Sequence, residues 1–178
     1  VSLVTPILAQ RPVYKISADL DTANQTLTGI NDIAYTNLSH DILDSIAIHL
    51  WPDAYKEKNT ALVKQKLNMG DLDLYRARAE DRGGLYDMAF SSPEQNIELI
   101  LSPEHIDIGW ILLSDPLQPE QTIHITSPYT LKIPKSFSRI GHTGDAYQLA
   151  QWYPHIAVYD EQCWHTMAYL DIGEFFND

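Results

Sequence analysis

The chain has 178 residues, enough for one sizeable domain and too few for two ordinary ones. Apolar residues make up 44% and charged residues 20%, with 8 Gly and 10 Pro, which excludes collagen, low-complexity polymer and wholesale disorder. No apolar run approaches the ~20 residues of a membrane span, and 12 basic against 24 acidic residues give a net charge of −12, so neither a membrane span nor a nucleic-acid partner is expected.

The opening run Val1 to Ala9, followed by polar Gln10-Arg11, reads in one of two ways. It is either the tail of a signal peptide, with Ile7 where a small residue is preferred, or a plain first β-strand. Export predicts a periplasmic or secreted location and the alternative a cytoplasmic one. Residues 1–13 are therefore set apart from a domain spanning 14–178.

Alternation marks the next elements. Tyr14, Ile16 and Ala18 alternate with Lys15 and Ser17, and Ile46, Ile48 and Leu50 with Ala47 and His49, so both stretches read as half-buried strands. Thr26 to Asn37 is long for one strand, and Gly29 inside it predicts a bulge or bend. Asn37 to Asp44, rich in Asn, Ser and Asp, reads as the turn into the Ile46 strand. Asn59 to Met69 predicts a helix, with Asn59 or Thr60 as cap and Gly70 as stop. Leu72 to Asp81 reads equally as helical or extended. Strand-like runs follow at Leu85 to Phe90, Ile97 to Leu101, Ile106 to Leu113 and Thr122 to Ile133, separated by Pro- and Ser-rich punctuation. Many short strands with regular turns and one short helix near 59–69 predict an all-β fold, an antiparallel sandwich.

Beyond Ser136 the chain turns aromatic: Tyr147, Trp152, Tyr153, Tyr159, Trp164, Tyr169, Phe175 and Phe176 are 8 of its 18 aromatics. It also turns acidic, because no Lys or Arg follows Arg139 while six Asp and Glu do.

Seven histidines invite a metal reading, yet no H-E-x-x-H or H-x-H spacing occurs, so no zinc ligand set is written locally. His142, His155 and His165 converging with Asp160 is the remaining metal arrangement, weighed against ordinary exposed or hydrogen-bonded histidines. Cys163-Trp164-His165 suggests a thiol and base, but neighbouring strand positions face opposite ways and no orienting group is evident. The single cysteine excludes an internal disulfide.

The run Ser138-Arg139-Ile140-Gly141-His142, then Tyr147-Gln148, Gln151-Trp152-Tyr153-Pro154, Val158-Tyr159-Asp160, Trp164-His165, Tyr169-Leu170-Asp171 and Gly173-Glu174-Phe175, resembles a bacterial branch of the zinc aminopeptidases that include aminopeptidase N and leukotriene hydrolase. Leu20-Asp21, Leu27-Thr28-Gly29, Tyr35-Thr36-Asn37 and His49 to Tyr55 are similar to the opening β-domain of the same family.

The resemblance implies a saddle-shaped amino-terminal β-sandwich packed on a thermolysin-like catalytic domain. That domain would carry the zinc ligands, the general-base Glu and the Gly-x-Met-Glu-Asn motif, none of which lies in these residues, so this chain alone is expected to have no catalytic residue, no metal and no cofactor. The expected partners are the catalytic domain of the same polypeptide and a peptide's amino terminus, with residues 138–176 as the face between them.

The family's amine anchor stands shortly before an aromatic-Pro pair, here Tyr153-Pro154, which makes Gln148 and Gln151 the candidate substrate-binding residues and Asp145 a third. Ala150 departs from the Thr usual before that Gln. Cys163, where the branch often has Gly, is expected to be an inert, half-buried thiol. The rival reading is a stand-alone exported module that binds peptide or carbohydrate on the aromatic segment.

Overall fold

The computed structural model describes residues 12–160 and 163–173, so the reading of the opening run, and of Phe175 and Phe176, falls outside the described residues. Strand outweighs helix, 45% against 12%, and the fold is an all-β antiparallel sandwich. In chain order come β1 (Val13–Asp21), β2 (Thr26–Thr36), β3 (Leu43–His49), a 3-10 helix (Trp51–Tyr55), α1 (Ala61–Asn68), a one-turn α2 (Asp73–Arg76), a 3-10 turn (Ala79–Asp81) and β4 (Gly84–Tyr86). They are followed by β5 (Ile97–Leu101), β6 (Ile108–Leu117), β7 (Thr122–Lys132) and the short strands β8 (Ile140–Thr143), β9 (Ala146–Leu149), β10 (His155–Ile156), β11 (Val158–Tyr159) and β12 (Trp164–His165).

One sheet has the order β1-β2-β7-β4 and the other β10-β3-β6-β5, while β8-β9 and β11-β12 form separate hairpins. Period-two alternation builds the space between the sheets. In β2, Leu27, Ile33 and Tyr35 point inward opposite Leu131, Ile125 and Ile123 of β7. The second sheet answers with Ile46, Ile48, Ile111 and Leu113, and these side chains form one continuous core. A second cluster around Trp51, Tyr55, Leu62, Leu74, Ile140 and Tyr169 lies beneath α1.

The expected helix is present and its ends follow the capping chemistry. The Val63 N–H donates to Thr60 Oγ1 at 3.4 Å, and Thr60 Oγ1 donates in turn to the Ala54 carbonyl at 2.7 Å. Gly70, at φ +81°, closes the far end. The ambiguous stretch 72–81 resolves into short helical turns, held by Arg82, whose guanidinium donates to the carbonyls of Glu57, Leu74, Tyr75 and Ala77.

Three local expectations are corrected. Gly29 makes no bulge: β2 pairs with β7 without interruption from Thr26 to Thr36, and the irregularity falls instead in β3, between Leu43 and Ser45. The strand read over Leu85 to Phe90 stops at Tyr86, because Asp87 takes φ +51° and turns the chain out of the sheet, which it meets again where the Ala89 N–H donates to the Pro128 carbonyl and in the Ser91–Thr126 bridge. Helical structure is not confined to the 59–69 region, since the 3-10 helix at Trp51–Tyr55 buries all five of its residues.

No helix among the described residues is long and apolar enough to cross a membrane.

Candidate functional site

Residues 138–160 and 163–173 pack against the two core clusters, and the geometry there follows from three anchor points. The β8-β9 hairpin sets Gly141 opposite Gln148 and His142 opposite Tyr147. After a sharp turn, β10 joins the edge of β3, with His155 paired to His49 and Ile156 to Ile48. The turn itself is tied down by Asn31, whose Nδ2 donates to the Pro154 carbonyl at 3.0 Å, and by Tyr14, whose Oη accepts from the Ile156 N–H at 2.8 Å. Beyond β12 the chain runs as a strap over the 3-10 helix and α1. Trp51 Nε1 donates to the Met167 carbonyl at 2.8 Å, the Tyr169 N–H donates to Asp107 Oδ2 at 2.6 Å, and Lys66 pairs with Asp171 at 3.1 Å.

The aromatic density serves this packing. Tyr147, Trp152, Tyr153, Tyr159 and Trp164 all pack against the core between the sheets, and Tyr169 is fully buried in the second cluster. Their rings meet at steep angles, 78° for Trp152 with Tyr153 and 61° for Tyr159 with Trp164, so they do not make a flat stacking platform. These rings are engaged with their own sandwich.

The two glutamines sit differently. Gln148 is exposed on β9. Gln151 lies in the turn between β9 and β10 with a left-handed backbone, φ +56°, and its side-chain Oε1 is buried without a hydrogen-bond donor. A buried amide oxygen without a partner costs on the order of 1–3 kcal/mol, and a non-glycine residue at positive φ adds backbone strain of a kind that collects at functional positions. Asp145 is exposed at the tip of the β8-β9 hairpin.

The histidines part ways. His155 packs on His49 at 5.0 Å and edge-on to Trp51 at 4.4 Å, whereas His142 lies over Tyr147. His49 is buried, and its Nε2 accepts from the Met167 N–H at 3.3 Å, which leaves the ring proton on Nδ1. Burial, with the neighbouring His155 adding to it, pushes the His49 imidazole down to about 3, so this ring stays neutral. Of the arrangement weighed from sequence, His165 and Asp160 alone meet, Nε2 to Oδ2 at 2.6 Å.

Cys163 is exposed rather than half-buried. It also shares a strand face with His165 two positions on, and Asp160 supplies the orienting group that the sequence did not reveal. The spacing D-x-x-C-x-H was the available signal, and it required knowing that β11 pairs with β12, which sets positions 160 and 163 opposite each other.

A cavity of about 620 Å³ is lined by Arg76, Arg78, Lys135, Phe137 and His142 together with Asp73 and Asp81. Asp81 pairs with both Arg78, at 3.2 Å, and Lys135, at 2.8 Å, so much of its positive charge is internally compensated. No family model and no curated protein matches the chain.

Proposed function

We propose that this sandwich is the amino-terminal domain of a zinc-dependent aminopeptidase, where it shapes the substrate cleft, buttresses the catalytic domain and receives the substrate's free amino group on Gln151. The observation that carries the reading is the buried, donor-less Oε1 of Gln151, held by a left-handed backbone in the turn just before Tyr153-Pro154. Rotation of the Gln151 side chain that exposes this oxygen would offer it to an α-ammonium. A neutral amide accepts its hydrogen bond without the desolvation cost of a buried carboxylate. The acidic, Lys- and Arg-free stretch beyond Arg139 adds a field that draws a protonated amino terminus toward the turn. Gln148, exposed on β9, is the weaker candidate. In this reading the zinc ligands and the general base lie outside these 178 residues, and the chain by itself hydrolyses no aminoacyl nitroanilide.

The test is a comparison of Gln151→Ala with Gln148→Ala in the protein joined to its catalytic domain, on substrates with free and acetylated amino termini. Losing a charge-assisted hydrogen bond lowers kcat/KM for the free amine by about 10-fold or more in Gln151→Ala, while Gln148→Ala leaves it within a factor of about two. An unchanged preference for the free amine in Gln151→Ala overturns the anchor. A reading frame that continues without an H-E-x-x-H motif overturns the aminopeptidase assignment itself.

A further inference from the structure

We propose that Asp160, Cys163 and His165, at the tip of the β11-β12 hairpin, form a binding site for a divalent transition-metal ion of the zinc type. The site follows from strand register. Tyr159 pairs with Trp164 and Val158 with His165, and the Asp160 N–H donates to the Cys163 carbonyl at 3.2 Å, so 160 and 163 face each other as the next pair along the ladder. Directly paired residues point to the same face of a hairpin, as do residues two apart. Asp160, Cys163 and His165 therefore share one face, and Tyr159 and Trp164 take the other, where they pack against the core, Trp164 lying 5.9 Å from Tyr35. Burial of the aromatic pair is what turns all three donors outward.

The donors are oriented toward one point. Asp160 Oδ1 accepts from the Cys163 N–H at 3.0 Å, which fixes the carboxylate, and Oδ2 reaches His165 Nε2 at 2.6 Å. One ligand atom from each of the three residues lies within 4.8 Å of the others, and no other group of three or more such donors occurs among the described residues. A tetrahedral zinc ion, with bonds of about 2.3 Å to sulfur and about 2.0–2.1 Å to nitrogen or oxygen, needs its donors about 3.3–3.6 Å apart, a spacing that falls between the 2.6 Å Asp160–His165 contact and the 4.8 Å within which all three donor atoms lie.

Thiolate, imidazole and carboxylate together select a borderline-soft ion over calcium or magnesium. On binding, the thiol proton leaves to solvent and the imidazole coordinates as the neutral ring. Thiolate and carboxylate then balance the two positive charges. Side-chain exposures of 49% for Asp160 and 32% for His165 leave the fourth position to water or to an added ligand. This inference stands on the hairpin alone and holds whether or not the aminopeptidase reading does.

The experiment titrates the reduced, chelator-treated chain with Co²⁺ and then displaces it with Zn²⁺. Because Cys163 is the single cysteine, any thiolate-to-cobalt charge-transfer band reports on it alone. The expected result is a band that saturates at one equivalent, is abolished by zinc, is absent in Cys163→Ser, and needs at least about tenfold more cobalt in His165→Ala and in Asp160→Asn. Far-ultraviolet circular dichroism of the variants matches the parent, since all three side chains lie at the surface. Absence of the band, or a band whose midpoint is unmoved in both His165→Ala and Asp160→Asn, overturns the site.

Discussion

Gly29 of β2 stands directly opposite Tyr129 of β7, and a Cβ at position 29 would lie 2.5 Å from the Tyr129 ring. The ring folds over the glycine so that Tyr129 Oη donates to Asn31 Oδ1 at 3.2 Å inside the core, while Asn31 Nδ2 holds the Pro154 carbonyl. One missing side chain on β2 thereby links the first sheet to the turn that carries Gln151.

Gly29→Ala is expected to destabilise the fold by about 1–3 kcal/mol, because forcing an extra methyl into a filled core displaces the ring and outweighs the few tenths gained from a stiffer unfolded chain. Urea denaturation measures the loss. A variant as stable as the parent would show that Tyr129 is free to move aside.

Asp53 makes stability fall with rising pH. It is 2% exposed, accepts from the Leu85 N–H at 2.6 Å, and burial pushes its carboxyl up to about 6 against the opposing pull of Lys56 and of that N–H. The folded value lies above the unfolded one, so the folded state binds the proton more tightly. Stability from this group is full below about pH 4, is lost as pH rises through about 6, and the loss is constant above that. Relative to Asp53→Asn, the parent should lose on the order of 3 kcal/mol between pH 4 and pH 7. Denaturation curves across that window check it, and parallel pH profiles for the two proteins would refute it. Asp107, also raised by burial, is present in both proteins, and its carboxylate adds to the rise at Asp53.

Arg82 is 6% exposed and gathers four carbonyls from Glu57 and the 74–77 turn. Arg82→Lys is expected to cost about 2 kcal/mol or more, because one ammonium cannot span a fork of four acceptors and the carbonyls it abandons are left inside. The readout is the denaturation midpoint together with proteolysis between residues 57 and 82, which should accelerate. Full retention of stability in Arg82→Lys would mean that charge, not the planar fork, holds the segment.

Much of the architecture was legible in the sequence. Thr122 to Ile133 repeats every two residues because one face of that sheet must be dry, and that signal survives without knowing the partner strand, whereas the half-buried reading of Ile46 to Leu50 is corrected, since Ala47 and His49 on the opposite face are buried as well. Thr60 and Gly70 bracket α1 for equally local reasons. Where the reading went astray, the deciding neighbour was remote in sequence. Gly29 signalled a bulge in isolation, yet it answers a ring 100 residues away.

The candidate site shows the same division. The family resemblance singled out Gln148 and Gln151 as a pair, but only the tertiary structure separates an exposed amide on β9 from one whose oxygen is buried in a left-handed turn. Asp160, Cys163 and His165 were visible as letters and not as a group, since their meeting depends on a hairpin whose aromatic face is pinned to the core by Tyr35 and its neighbours. Composition, alternation and caps are properties of neighbouring residues and are written along the chain. Burial of a single polar atom, and the convergence of three side chains on one point, arise from packing between distant segments, and the fold alone decides them.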